Sequence, residues 1–172
     1  APKDLMNAVA HLQNQESGFS EFNAHVHADC KVNNLLFNAQ GTRVAAVIDL
    51  DTTMYGHWAW DFGDLMRSIA FSRGRADLVD YENAAEGFLL GLQKPVTEQT
   101  VQDMVQVPGH IAGMLGLRFL TDHLVGDVYF RVSEAGQNLQ RAREQFSLME
   151  QFNDMAQAME AVVKNLGEQL PS

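Results

Sequence analysis

One short β-rich stretch followed by almost unbroken helical periodicity limits what this chain can fold into. Three apolar runs, near 24–26, 35–37 and 44–50, have the length of strands. Asn38-Ala39-Gln40-Gly41 between the last two predicts a hairpin turn. From Asp61 onward apolar residues recur at threes and fours, which predicts helices over 61–71, 76–92, 98–125 and 138–166. Pro108-Gly109 falls inside the third segment, where a missing backbone donor and the ring's clash with the preceding turn predict a break into two helices. In the fourth, Leu139, Ala142, Phe146, Met149, Phe152, Ala156, Met159 and Val163 share one face. A Met-rich stripe of that spacing is a packing surface before it is a cofactor site. A leading helix is expected over 3–15, closed by Gly18. The expected fold is α+β and mainly α, a small hairpin region plus a helical bundle, in one domain spanning 1–172.

Charge narrows the partners. Twenty-two acidic against twelve basic side chains give a formal charge of -10, and no Lys/Arg-rich run offsets it. Non-specific binding to nucleic acid or to anionic membranes is therefore not expected, and a phosphate-bearing ligand needs local cations. No apolar run approaches the roughly 18 residues of a membrane span, and the first residues lack the apolar core of a signal peptide. The single cysteine, Cys30, leaves no internal disulfide and points to a reducing, cytoplasmic compartment.

The stretch that carries chemistry is His27-Ala28-Asp29-Cys30-Lys31-Val32-Asn33-Asn34, followed by Leu35-Leu36-Phe37 and then by Val47-Ile48-Asp49-Leu50-Asp51. Phosphoryl transfer from a nucleotide needs a carboxylate to orient the attacking hydroxyl, a cation on the moving phosphoryl group and oxygen ligands for Mg²⁺. All three types are present around one predicted hairpin. Asp29 and Asn34, five positions apart, have the spacing of base and metal ligand in kinase catalytic loops, and Lys31 lies between them. The second metal ligand of a kinase ends the strand that pairs with the one leaving the catalytic loop, and Asp49 fits that place. Asp61-Phe62-Gly63 spells the tripeptide that bears this ligand in protein kinases, but no strand precedes it and it opens a helix. Asp61 is read instead as a helix N-terminal acid tied to the catalytic-loop backbone.

Other ligand chemistries fit less well. His25, His27 and Cys30 are zinc-binding types without a partner pair at finger spacing. An EF-hand starting at Asp49 fails because Met54 stands where the loop needs Gly and Trp60 where it needs Glu. Cys30 reads as a small filler of the loop rather than a nucleophile.

Three segments, HADCKVNNLLF, AVIDLDTTMYGHWAWDFGDLMRSIA and RFLTDHLVGDVYFRVSEAGQNLQRAREQF, resemble in order the C-terminal lobe of N-acetylhexosamine 1-kinases, within the aminoglycoside phosphotransferase/choline kinase-like family. The resemblance runs from about His27 to the end. It implies a protein-kinase-like fold and an ATP- and Mg²⁺-dependent transfer to the anomeric hydroxyl of an N-acetylated amino sugar. Asp29 would be the catalytic base, Lys31 a γ-phosphate contact, Asn34 and Asp49 the Mg²⁺ ligands, and Asp51 an additional metal or water ligand. Arg118 and Tyr129 would contact the sugar. On its own residues, Arg118 shares a face with Ile111, Met114, Leu115 and Val125 and needs a partner, either substrate or Asp122 one turn on. Tyr129 reads equally as an amphipathic core residue with its hydroxyl at the edge.

Two departures from the family pattern bear on substrate choice. Ala28 stands where relatives usually carry a polar residue, and His57-Trp58 is bulkier than its counterpart. A third is larger: no Gly-rich loop and no strand lysine lie in the twenty-six residues before His27. The chain is therefore expected to be the C-terminal half of a longer kinase, with the nucleotide-covering lobe outside it. The alternatives are a non-catalytic lobe that binds a sugar or a protein, and a kinase for another acceptor such as an aminoglycoside, choline or N-acetylmuramate.

Overall fold

The computed structural model describes residues 23–93 and 95–169, so the helix expected over 3–15 lies outside the described residues. Four short strands come first. β1 (Ala24–Val26) pairs antiparallel with β4 (Met54–Gly56), and β2 (Leu35–Phe37) with β3 (Val44–Val47). The β2–β3 hairpin is the one the turn residues predict. Asn38 closes it, its Oδ1 accepting from the backbone N–H of Thr42 at 2.8 Å and of Arg43 at 3.1 Å. One small sheet was expected, and two separate two-stranded sheets form instead. β4 supplies the difference: three residues are too few to show an alternating pattern.

Five helices follow among the described residues: α1 (Ala59–Arg73), α2 (Leu78–Leu92), α3 (Glu98–Leu124), α4 (Gln137–Asp154) and α5 (Ala156–Gln169). The architecture is thus α+β and mainly α. Local chemistry sets several ends. Gly74 stops α1 in the left-handed conformation, its N–H donating to the carbonyls of Ala70 and Phe71. The Asp77 carboxylate caps α2, and Thr97 with Thr100 forms a reciprocal capping box on α3. The core lies between the helices, where Phe62, Met66, Tyr81, Met104, Phe152 and Met159 are buried. The Met-rich stripe of the C-terminal segment is part of that core, with Met149 and Met159 both enclosed.

Two helix boundaries differ from expectation. Pro108 does not divide the third helical segment, because α3 runs through it from Glu98 to Leu124. A proline at 108 has no N–H to give the carbonyl of Met104 four residues earlier. The buried hydroxyl of Tyr81, on α2, donates to that carbonyl at 3.2 Å and replaces the missing bond. Gly109 is no breaker here either: a Cβ at that position would lie 3.0 Å from Asn153 Oδ1, so its absence lets α4 approach. In the last segment one helix was expected and two form, meeting at Met155, whose N–H donates to the carbonyls of Gln151 and Phe152. Asn153-Asp154 are poor helix formers that offer the backbone competing hydrogen bonds. The bend turns the apolar face of α5 onto α2 and α3.

The Tyr81–Met104 bond is testable by a double-mutant cycle. Tyr81→Phe leaves a buried carbonyl without a donor and is expected to lower unfolding stability by about 1–3 kcal/mol. In a Pro108→Ala background, where residue 108 regains its N–H, the same change is expected to cost less. Equal costs in the two backgrounds, measured by denaturant unfolding, would show that the hydroxyl does not stand in for the proline.

Candidate active site

Asp61 is the fixed point from which the loop 27–34 is built. It lies in the first turn of α1, and its two carboxylate oxygens accept the backbone N–H of His27 at 2.8 Å and of Ala28 at 2.9 Å. Those bonds hold Ala28 at φ 60°, a left-handed conformation that a residue with a Cβ adopts against its preference. A polar residue such as Asn suits that conformation better, so Ala28 is the less relaxed choice. Ser68 Oγ, two turns further along α1, accepts the N–H of Val32 at 2.8 Å. From the other side, Thr52 Oγ1 donates to the carbonyl of His27 at 2.8 Å, and His27 Nε2 lies 2.9 Å from the carbonyl oxygen of Ile48.

The literal tripeptide Asp61-Phe62-Gly63 therefore has three packing tasks. Asp61 holds the loop and Phe62 is fully buried in the core. Gly63 lets α1 touch α3, since a Cβ there would lie 2.7 Å from Val107 Cγ2 and 2.8 Å from Ile111 Cγ1.

Within the loop, Asp29, Lys31, Asn34 and Asp49 come together. Asn34 is buried, and its Nδ2 donates to the Asp29 carbonyl at 2.8 Å and to Asp29 Oδ2 at 3.1 Å. Both amide hydrogens are turned toward Asp29, which leaves Oδ1 of Asn34 as an acceptor. Lys31 Nζ is 2.5 Å from Asp29 Oδ2 and 3.8 Å from Asp49 Oδ2, a cation between two carboxylates. Asp49 stands two residues past the end of β3 in a left-handed conformation, and the N–H of the intervening Ile48 donates to the Asn34 carbonyl at 3.0 Å. That bond joins the strand end to the loop. Asp51 sits exposed on the 3-10 turn Leu50–Thr52, with no hydrogen bond or ion pair to the other four. Among the described residues no group of three or more His, Cys, Asp or Glu is gathered as a metal site.

Cys30 is a spectator in this loop. Burial, reinforced by the nearby carboxylates of Asp61, Asp64 and Asp29, pushes its thiol pKa up to about 11, so it stays protonated and unreactive near neutrality. His57 is equally inward-facing: Nδ1 accepts the N–H of Ala59 at 3.3 Å, and Nε2 is 3.6 Å from Asp103 on α3. The neighbouring Trp58 ring meets Phe88 of α2 at 6.1 Å. This bulky pair anchors the start of α1.

A second cluster forms where α3 ends. Arg118 does not pair with Asp122, and the face it shares is not buried, since Met114 and Val125 are exposed. Its guanidinium stacks instead over Tyr129 at 5.7 Å and Phe130 at 5.4 Å. Tyr129 is 74 % exposed and is not a core residue. Arg118 and Tyr129 thus meet, but no hydrogen bond, ion pair or ring contact joins them to the loop 27–34.

Asp122 was missed by sequence reasoning as more than a partner for Arg118. Its carboxylate accepts the N–H groups of Val128 at 3.0 Å, Tyr129 at 2.8 Å and Phe130 at 2.9 Å, and Nδ2 of Asn138 at 2.8 Å. One signal was available: an acid in the last turn of a helix opposes the helix dipole and needs a compensating donor set.

A family model described as a phosphotransferase enzyme family, APH, matches residues 4–95. The chain belongs to that family. The family match covers the loop, β3 with Asp49, α1 with Asp61, and α2, while Arg118 and Tyr129 lie beyond it. Membership makes the protein a phosphotransferase of the aminoglycoside phosphotransferase/choline kinase-like type with a kinase-like fold. No helix among the described residues is long and apolar enough to cross a membrane.

The Asp122 clamp has a pH signature. Burial alone would raise its carboxyl pKa, but the backbone N–H groups of Phe130, Tyr129 and Val128 outweigh burial and hold it below the usual carboxylate value. Its contribution is complete above the unfolded-state pKa and is lost as the pH falls through the lowered folded value. Asp122→Asn is expected to be less stable than the wild type near neutrality, with the gap closing in acid. Parallel stability curves for the two proteins between about pH 2 and pH 7 would remove this role.

Proposed function

We propose that this chain is the catalytic lobe of a cytoplasmic kinase that transfers the γ-phosphoryl group of ATP to the anomeric hydroxyl of an N-acetylated hexosamine. The observation that carries the reading is the gathering of Asp29, Lys31, Asn34 and Asp49 on a loop whose backbone is held by Asp61. Asp29 accepts the proton of the attacking hydroxyl as its oxygen bonds to phosphorus and the bond from phosphorus to the ADP oxygen breaks. Lys31, already placed between two carboxylates, supplies the cation for the moving phosphoryl group.

Mg²⁺ is implied by the family, and the donor set suits it. The Asn34 Oδ1 acceptor and the Asp49 carboxylate are hard oxygen ligands, and Mg²⁺ usually takes one or two such ligands and completes its shell with water and phosphate oxygens. When bound, the ion would neutralise charge on the phosphates. Asp51 is assigned an outer place, through water, in keeping with its separation from the other four.

The acceptor assignment rests on the resemblance together with the Arg118–Tyr129 pair, an exposed aromatic face held beside a guanidinium, which suits a sugar ring and its hydroxyls. The nucleotide-covering lobe is proposed to lie against the two small sheets. Phe37, Val47, Ile48, Leu50 and Tyr55 are all exposed there, an apolar surface that suits a base or a further protein layer.

Two substitutions in the full-length enzyme test the assignments. Asp29→Asn keeps a hydrogen-bonding partner for the hydroxyl but a poor proton acceptor, so kcat is expected to fall by about 10²-fold or more while substrate binding survives. Turnover within about threefold of wild type would take Asp29 out of the role. Arg118→Ala is expected to raise KM for N-acetylglucosamine or N-acetylgalactosamine about tenfold, or roughly 1.4 kcal/mol, with KM for ATP nearly unchanged. A lower melting temperature with unaltered sugar kinetics would assign Arg118 to the fold alone.

A further inference from the structure

Cations in this protein are scarce, and most of those outside one region are already neutralised. Among the described residues Lys31, Arg67, Arg73, Arg75 and Lys164 each have a carboxylate partner. Arg43, Arg118, Arg131, Arg141 and Arg143 have no ion pair among the described residues, and four of these five fall within residues 118–143. Acids are available nearby and are not used for them. Glu144 accepts from Gln140 Nε2 at 2.9 Å, and Asp122 and Asp127 both accept from Asn138. In a chain of net charge -10, a run of cations without carboxylate partners is a local positive region that favours an anionic ligand.

A cavity of about 540 Å³ lies among them, lined by Arg131, Val132, Ser133, Gln137 and Arg141, with no carboxylate in its wall. Arg141 is held in place rather than loose. Its Nη1 donates to the carbonyl of Arg131 at 3.1 Å and to Asn138 Oδ1 at 2.9 Å, and its guanidinium lies 5.6 Å over the Phe119 ring. The remaining guanidinium nitrogens are left as donors. Gln137 Oε1 accepts the N–H of Ser133 at 2.8 Å, which leaves its amide hydrogens, on Nε2, as donors too. The α4 N-terminus adds its positive end to the same wall, where Gly136 provides no side-chain cap. The side-chain nitrogens of Arg141 and Gln137 around the cavity are thus donors, and no side-chain carboxylate opposes them.

We propose that this cavity binds the oxyanion of a small molecule, a phosphate monoester or a carboxylate, gripped by Arg131 and Arg141. Forked guanidinium donors match the paired oxygens of either group. The site is separate from the Asp29 loop and does not depend on the kinase reading. The anion belongs either to the acceptor sugar itself or to a second small molecule bound beside it.

Direct binding to this chain tests the idea without an activity assay. Calorimetric titrations with inorganic phosphate, N-acetylglucosamine 6-phosphate and neutral N-acetylglucosamine are run on the wild type, on Arg131→Gln and on Ser133→Glu. Both substituted side chains are exposed, and unchanged thermal unfolding verifies that the fold is intact. Phosphate is expected to bind the wild type with a millimolar Kd, to weaken about fivefold or more in Arg131→Gln, and to be lost in Ser133→Glu, which sets a carboxylate in the wall. Tighter binding of the sugar phosphate than of either phosphate or the neutral sugar would place the anion on the acceptor. Phosphate binding that leaves sugar binding unaltered would place it on a separate molecule. No heat with phosphate or sugar phosphate up to about 50 mM, or equal affinities in all three proteins, would overturn the proposal.

Discussion

The bond pair from the Asp61 carboxylate to the N–H groups of His27 and Ala28 is what the rest of this site depends on. A loop that presents Asp29 must expose that carboxylate and still keep its own backbone donors satisfied. Asp61 does this from a helix, a rigid element whose own first turn favours a negative charge. The left-handed Ala28 follows from it, because the chain must turn sharply to bring both N–H groups onto one carboxylate. Lys31 and Asn34 then fall back toward Asp29, and Ile48 ties the end of β3 to the carbonyl of Asn34.

Placing Asp61 requires α1 to be seated closely on the helices behind it. Gly63 gives α1 its contact with α3, Phe62 fills the core, and His57 joins Asp103 of α3 just before the helix begins. α3 can serve as that support because it stays continuous through Pro108, with the Tyr81 hydroxyl in place of the missing backbone donor. The catalytic-type loop is therefore coupled through α1 to packing on the far side of the molecule. A second carboxylate repeats the device at the other end of α3, where Asp122 gathers three successive N–H groups and sets Tyr129 beside Arg118.

The first of these two centres lies wholly inside the family match, since residues 4–95 contain the Asp29–Asp49 arrangement to which phosphoryl transfer is proposed to belong. The second centre lies outside the match and has a different electrostatic character. It combines stacked aromatic rings with arginines that have no carboxylate partner, in a protein that is acidic as a whole. Such a surface attracts groups that the rest of the molecule repels.

Local spacing determined a good deal by itself. The strand-turn-strand around Asn38, the five-residue interval from Asp29 to Asn34, the place of Asp49 after an apolar run and the helical period beyond Asp61 are all short-range patterns, and the hairpin and the helical character they imply are found, though not every helix boundary. The reading of Asp61 as a helix N-terminal acid bonded to the loop is met through its place at the head of a helical run, whereas the premise that no strand precedes it fails, because β4 lies just upstream. Tertiary contacts decided the rest. Whether Pro108 broke its helix depended on a hydroxyl from Tyr81, twenty-seven residues earlier. Whether Arg118 faced Asp122 or aromatic rings depended on the donors that the 128–130 turn brought to that carboxylate, and β4 existed only by pairing with β1. Periodicity and spacing report what a segment can do alone, whereas an orphaned carbonyl, a free carboxylate or a three-residue strand is settled by whichever distant group arrives to satisfy its hydrogen bonds.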